Sequence, residues 1–238
     1  MRRRALIPAQ ILALLLTTIL AGCSGGDEVP SLELELIKAG QTAIAARTAP
    51  KVDRPPLTRA ALNTVKGAHI EAIFERRDQL AYFHVDAIRR DRDPGQIVVW
   101  RSDDDVTLTM RNGVLIATRG LRNDILSASA QLSGDTPGPV RGGARTFHIR
   151  ALDNKARRLS LVCDLVDLGP ETIEIVETRY ATHHLRETCE GGVSGAAADR
   201  PGQIINDYWV DPRAGLVWQS RQWAGPGIGY LRVRHLTR

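Results

Sequence analysis

Val106-Thr107-Leu108-Thr109-Met110-Arg111-Asn112-Gly113-Val114-Leu115-Ile116-Ala117-Thr118 decides how this chain folds. Two runs alternate apolar with polar residues and meet at Asn112-Gly113. Both of those residues tolerate positive φ, so the stretch predicts a tight β-hairpin. The same signals continue outward. Upstream, Ile97 to Trp100 follows the turn pair Pro94-Gly95, and Ile70 to Glu75 and Gln79 to Ile88 flank Arg76-Arg77-Asp78. Downstream, Thr146 to Leu152, Arg158 to Val166, Ile204 to Val210, Leu216 to Trp223 and Tyr230 to Leu236 read as strands. Glu171 to Glu187 reads as a further strand, long enough to be bent, and Asp124 to Ala130 as a short helix or a continuing strand. Ser133 to Gly143 is rich in Gly and Pro and reads as loop, and Gly191 to Gly202 is small and flexible. Roughly ten strands without a βαβ rhythm make a mainly β, antiparallel domain. No period marks a repeat protein.

The N-terminus has a different character. Arg2, Arg3 and Arg4 precede an almost wholly apolar run from Ala5 to Ala21, and polar sequence begins at Ser24. The run is short for a membrane span and has the layout of a secretion signal. Leu20-Ala21-Gly22-Cys23 resembles the lipobox of bacterial lipoproteins, in which the cysteine thiol takes diacylglycerol and becomes the first residue. Two or more acyl chains hold a protein on a bilayer where one does not. Residues 1–22 are therefore expected to be a signal peptide, 23–30 a lipidated tether, and 31–238 one β-rich periplasmic domain. Ser24, in place of an Asp that favours inner-membrane retention, points to the outer membrane. Leu32 to Arg47 suits a helix capped by Ser31, although Leu32, Leu34 and Leu36 also suit a strand. Thr58 to Val65 suits a short helix capped by Thr58.

The formal charge of +5 over 238 residues includes the three signal arginines, which leaves about +2 on the mature chain. Binding to nucleic acid needs a concentrated basic face, and the other arginines are interleaved with acids, as in Arg89-Arg90-Asp91-Arg92-Asp93. Nucleic acid is not an expected partner. With Cys23 lipidated, Cys163 and Cys189 remain, and two thiols in an oxidising compartment favour a disulfide. The rival reading is a metal site or a reactive thiol. His183 and His184 lie close to Cys189, but no CxxC or Cys/His ligand spacing is present.

Catalytic patterns are missing. The chain has no GxSxG elbow, no HExxH and no convincing glycosidase pair. His183 and His184 are adjacent on a strand and face opposite ways, so they cannot easily share a metal. Asp103-Asp104-Asp105 lacks the ligand spacing of a calcium loop. Gly225-Pro226-Gly227-Ile228-Gly229 reads as a turn and lacks the Lys-Ser/Thr of a phosphate loop. No enzyme, metal or cofactor is expected. Trp209, Trp218 and Trp223, with Arg221 and Gln222 between them, are the residues a glycan or partner surface would use, by ring stacking and planar donors. Tryptophans on strands also serve as core, so both readings stay open.

Two stretches, Trp100 to Leu126 and Tyr208 to Gly229, resemble the YjbF/GfcB family of lipoproteins, whose genes accompany exopolysaccharide and group 4 capsule production. The resemblance implies a curved antiparallel sheet, a half-barrel like the LolA-type carriers, wrapped around a few short helices. It implies an outer-membrane lipoprotein that faces the periplasm and assists polysaccharide assembly or export without catalysis. Its partners would be the membrane, through the lipid, and secretion proteins or glycan. The alternative is a carrier that holds a lipid or acyl chain in the half-barrel cavity. The family has no established catalytic residues to carry over.

Overall fold

The computed structural model describes residues 57–191 and 202–238. The expected secretion signal, Cys23 and the Leu32 to Arg47 segment lie outside the described residues. A short helix α1 (Arg59–Leu62) comes first, and the Thr58 hydroxyl accepts from Ala61 N at 3.2 Å as the sequence predicts. Twelve strands follow: β1 (His69–Phe74), β2 (Gln79–Arg89), β3 (Ile97–Arg101), β4 (Thr107–Arg111), β5 (Val114–Arg119), β6 (Ile125–Ala128), β7 (Gly143–Arg150), β8 (Ala156–Ile175), β9 (Thr178–Glu190), β10 (Gln203–Asp211), β11 (Leu216–Trp223) and β12 (Tyr230–Thr237). A 3₁₀ turn, Glu75–Arg77, joins β1 to β2. Asn112 and Gly113 both adopt positive φ, 47° and 83°, and turn β4 into β5 as the alternation requires.

All twelve strands form one antiparallel sheet in the order β5-β4-β3-β2-β1-β12-β11-β10-β9-β8-β7-β6. The two outermost strands come back together, so the sheet is a nearly closed barrel. Side chains hold the seam between β5 and β6. Thr118 Oγ1 donates to Asp124 Oδ1 at 2.9 Å and accepts from Ile125 N at 3.0 Å. Arg119 donates to Thr118 O at 2.7 Å and to Ile125 O at 3.3 Å.

The interior is filled. Phe83, Trp100, Leu108, Met110, Phe147, Trp223 and Leu231 belong to the main core, with Phe147 and Trp223 edge to face at 5.2 Å. Cys163 and Cys189 sit opposite each other on β8 and β9 and form a disulfide in that core. Beside it lies a buried polar network. Arg145 from β7 pairs with Glu187 from β9 and donates to Leu115 O on β5 at 3.5 Å. Asn206 Nδ2 donates to Glu187 at 2.8 Å, and the Tyr208 hydroxyl donates to the same oxygen at 3.4 Å. Gln222 accepts from Leu115 N at 2.8 Å and donates to Gly113 O at 2.8 Å and Ser220 Oγ at 2.9 Å. One set of side chains thus ties β5 to β7, β9, β10 and β11.

The ends are covered too. Pro137, Gly138 and Pro139 are buried, and Gly138 N donates to Asn112 O at 2.8 Å. A Cβ at Gly138, whose φ is +75°, would meet Val210 Cγ1 at 2.9 Å. The Gly225 to Gly229 turn, with Ile228 buried, packs on Arg122 and Asn123 between β5 and β6.

Three expectations need correction, and one open alternative is settled. The curvature exceeds a half-barrel, since the edges nearly meet. The short helices around which the sheet was to wrap amount, among the described residues, to α1 and one 3₁₀ turn. Glu171 to Glu187 is not one bent strand. It reverses at Val176-Glu177, both at positive φ (43° and 63°), and β8 runs on through Gly169-Pro170 as a bulge. Asp124 to Ala130 resolves as strand β6.

Removing Glu187 leaves a buried guanidinium unpaired, a loss of about 3–5 kcal/mol. Chemical denaturation should show that drop for Glu187→Ala and a smaller one for Arg145→Met/Glu187→Leu, in which neither charge is stranded. A single-variant loss below about 1 kcal/mol would show that the network does not organise the barrel.

Candidate binding surface

With the interior occupied, the chemistry open to a partner lies on the outer face. Strand register sets out two rows across it. Tyr82, Glu71, Arg234, Gln219, Trp209 and His184 are cross-strand neighbours on β2, β1, β12, β11, β10 and β9. The adjacent row is Leu80, Ile73, Arg232, Arg221, Asp207, Arg186 and, on β8, Val166. Side chains two residues apart share a face, so each strand from β9 round to β2 contributes one residue to each row, and β8 adds Val166 to the second.

All but one of the charges in these rows are paired among the described residues. Arg221 binds Glu75 through Nε at 2.9 Å and Nη2 at 2.8 Å, and its guanidinium lies 3.7 Å from the Tyr230 ring centroid. Arg234 pairs with Glu71. Arg186 Nε donates to Asp207 at 2.7 Å, which raises the Arg186 pKa further. His184 lies between two carboxylates, Asp207 at 2.9 Å and Glu171 at 3.0 Å, and stacks on Trp209 at 4.4 Å. Arg232 is exposed and has no ion pair among the described residues.

Beside Trp209 lies an outer apolar cluster of Leu62, Ile173, Ile175, Trp218 and Leu236. Trp218 packs against Tyr180 at 3.7 Å, and Arg238 lies over its ring at 4.5 Å. An open cavity of about 290 Å³ is lined here by Arg59, Val65, Tyr180 and Trp218. His235 sits between Trp100 (5.3 Å) and Trp218 (6.5 Å), and its Nδ1 has no partner among the described residues. Burial and then the charge of Arg238 push its pKa down to about 4.

The five residues read from the sequence as a surface do not share one. Trp209 and Arg221 are on the outer face. Trp218 is buried in the outer cluster, Gln222 belongs to the internal network, and Trp223 packs on Phe147 in the main core. Gln222 and Trp223 are therefore withdrawn from the surface. Residues two apart along one strand, such as Gln219 with Arg221, or Asp207 with Trp209, carried the better signal. His184, Asp207, Arg186, Arg232 and Arg234 were missed. His183 and His184 do diverge: His183 meets Asp167 at 3.2 Å, and His184 meets Trp209. Among the described residues, Cys163, Cys189 and Glu187 place their ligand atoms close enough to hold a metal ion, but the two sulfurs are joined in a disulfide.

These features define a side-chain-filled, nearly closed β-barrel that offers its polar and aromatic chemistry on the outside. The family model described as group 4 capsule polysaccharide lipoprotein gfcB, YjbF, matches residues 35–236, and the chain belongs to that family of lipoproteins. It is 29% identical over 135 residues to the Escherichia coli (strain K12) protein described as uncharacterized lipoprotein GfcB. That match spans 54% of this chain and 59% of the relative. The crystal structure of the hypothetical lipoprotein YmcC from Escherichia coli (K12) shares the fold, with a TM-score of 0.60 and 22% identity, covering 83% of this chain and 94% of that one.

His235 gives the fold a pH dependence with a definite sign. The unfolded imidazole takes a proton near pH 6.5, whereas the folded one resists it down to about 4. The unfolded state binds more protons between those values, so stability falls as pH drops through that window, by up to about 2–3 kcal/mol. Denaturation midpoints at pH 7, 5.5 and 4.5 should drop less in His235→Phe than in the wild type. Parallel curves would remove His235 as a cause.

Proposed function

We propose that the protein is an outer-membrane-anchored periplasmic lipoprotein that assists assembly or export of a capsule or exopolysaccharide without catalysing a step. The observation that carries this reading is the family match, which runs from residue 35 to 236 and so covers the whole described barrel. The printed family description names capsule polysaccharide and lipoprotein together. The outer rows add chemistry suited to a polyhydroxylated polymer or a protein partner: guanidinium groups, carboxylates, the Gln219 amide and the Trp209 ring. The carrier alternative gains no support. Aromatic, aliphatic and hydrogen-bonded polar side chains occupy the barrel interior where an acyl chain would lie.

Deleting the gene should lower surface polysaccharide or trap polymer in the periplasm. Unchanged polymer in both places, with the neighbouring synthesis genes active, would reject the reading. Cys23→Ser should move the protein from the detergent to the aqueous phase on partition and fail to restore polymer. A folded Trp209→Ala/Arg232→Ala variant should also restore polymer poorly if the outer rows are the working surface. Full restoration would place that surface elsewhere.

A further inference from the structure

Strand β8 outruns one of its neighbours. β7 pairs with it only from Ala156 to Cys163, whereas β9 accompanies it to Ile175. Among the described residues, no strand pairs with the other edge of β8 from Asp164 to Ile175, a stretch of about 40 Å. The hairpin turn fixes which backbone groups that edge presents. Ile175 and Thr178 flank the two-residue turn and exchange hydrogen bonds, so Glu174 opposite Arg179 and Thr172 opposite Ala181 direct their N–H and C=O groups outward. The Thr182 hydroxyl donates to Glu171 O at 2.6 Å, which places the Glu171 carbonyl toward β9, as this alternation requires. Neither the Thr172 nor the Glu174 N–H takes part in a turn, loop or side-chain hydrogen bond among the described residues.

The side chains along this edge have their own character. Val166 and Leu168 are 53% and 51% exposed, large values for branched apolar groups. Asp164, Asp167, Glu171, Glu174 and Glu177 outnumber the cations beside them, Arg179 and Arg59, while His183 and His184 meet Asp167 and Glu171, in a chain whose overall charge is positive. We propose that the free edge of β8 is a strand-addition site that takes an extended segment of a partner polypeptide carrying lysine or arginine. The outward N–H and C=O groups supply main-chain bonding, Val166 and Leu168 supply apolar contact, and the acids select a basic strand. A second copy is the wrong occupant. Antiparallel self-pairing would set acids opposite acids across the two-fold, and like charges directly opposed are unfavourable. Pro170 lacks an N–H and divides the edge, so the guest strand pairs in two short registers. The inference does not rest on the capsule reading, because it is tested with a peptide.

The probe is a labelled ten-residue peptide that alternates Lys with Val and Thr, titrated into the full-length protein in detergent at low salt. It should bind at least tenfold more tightly than the same peptide with Glu for Lys, and it should slow amide exchange at Thr172 and Glu174. Thr172→Pro removes an outward donor without touching the β9 ladder. It should weaken binding at least tenfold while Ile173 and Ile175 stay protected. If that variant loses the ladder, Asp167→Lys/Glu174→Lys carries the test, with a loss of similar size. Equal binding of the two peptides, tight binding without slowed exchange at these amides, or a dimer that Thr172→Pro dissolves would each overturn the proposal.

Discussion

A guanidinium and a carboxylate shut away from water hold this barrel together. Arg145 and Glu187 are each about 3–4% exposed, and neither could remain charged there alone. An eight-stranded barrel is about as wide as side chains can fill, and this sheet has twelve strands. Only 5% of the chain is aromatic, too little to occupy the extra width with rings. Long polar side chains do so instead, and once buried they must satisfy one another. Glu187 therefore accepts from Arg145, Asn206 and Tyr208, while Gln222 bonds both backbone groups that β5 offers at Gly113 and Leu115. The Tyr208 hydroxyl is held neutral by burial first and by the nearby Glu187 charge, so it stays a donor.

That interior explains why the outside is the place to look for recognition. A filled barrel leaves the polar side of each strand as its chemical display, and the cross-strand register sets those residues in rows. Pairing then limits what the rows can do. Glu71, Glu75, Glu171 and Asp207 each already face a cation or His184, so the surface is near neutral, with planar donors held in place. The proposed polysaccharide role would use such a face through hydrogen bonds to hydroxyl groups rather than through the charge pairing that nucleic acid needs.

Local signals were legible wherever a turn needs a special residue. Asn112-Gly113, Arg76-Arg77-Asp78 and the Thr58 cap all appear where the sequence puts them, because positive φ and an unbonded N–H each demand particular side chains. The turn at Val176-Glu177 gave no such signal. Neither residue favours positive φ, and what holds the turn is distant: Arg59 donates to Ile175 O at 2.7 Å and to Val176 O at 3.1 Å, and Glu177 accepts from Arg59 N at 3.0 Å. The sequence expectation left residues 167–170 outside any strand, yet β8 runs through Pro170, because its open side needs no donor at that position. The surface failed for a related reason. Composition identified Trp and Arg, but parity decides which side of the sheet each one takes, and the bulge opposite Trp209 and Val210 adds Trp218 to β11 and shifts parity partway along that strand.

Closing a sheet into a barrel removes its two edges, and this chain spends specific side chains on doing so. Thr118 and Asp124 bond backbone N–H groups on both sides of the β5–β6 seam, where a ladder would otherwise be needed. The β8–β9 hairpin then projects past β7 and creates an edge again. Its defences are Pro170, a bulge and a row of acids, which discourage pairing with like copies and leave Thr172 and Glu174 open. The hairpin tip is meanwhile fastened by Arg59 and packed on Trp218 and Leu236, so the edge is presented by a rigid ribbon rather than a loose arm. A strand added there would lose little conformational freedom on the protein's side, which is the physical condition for recognition by main-chain bonding.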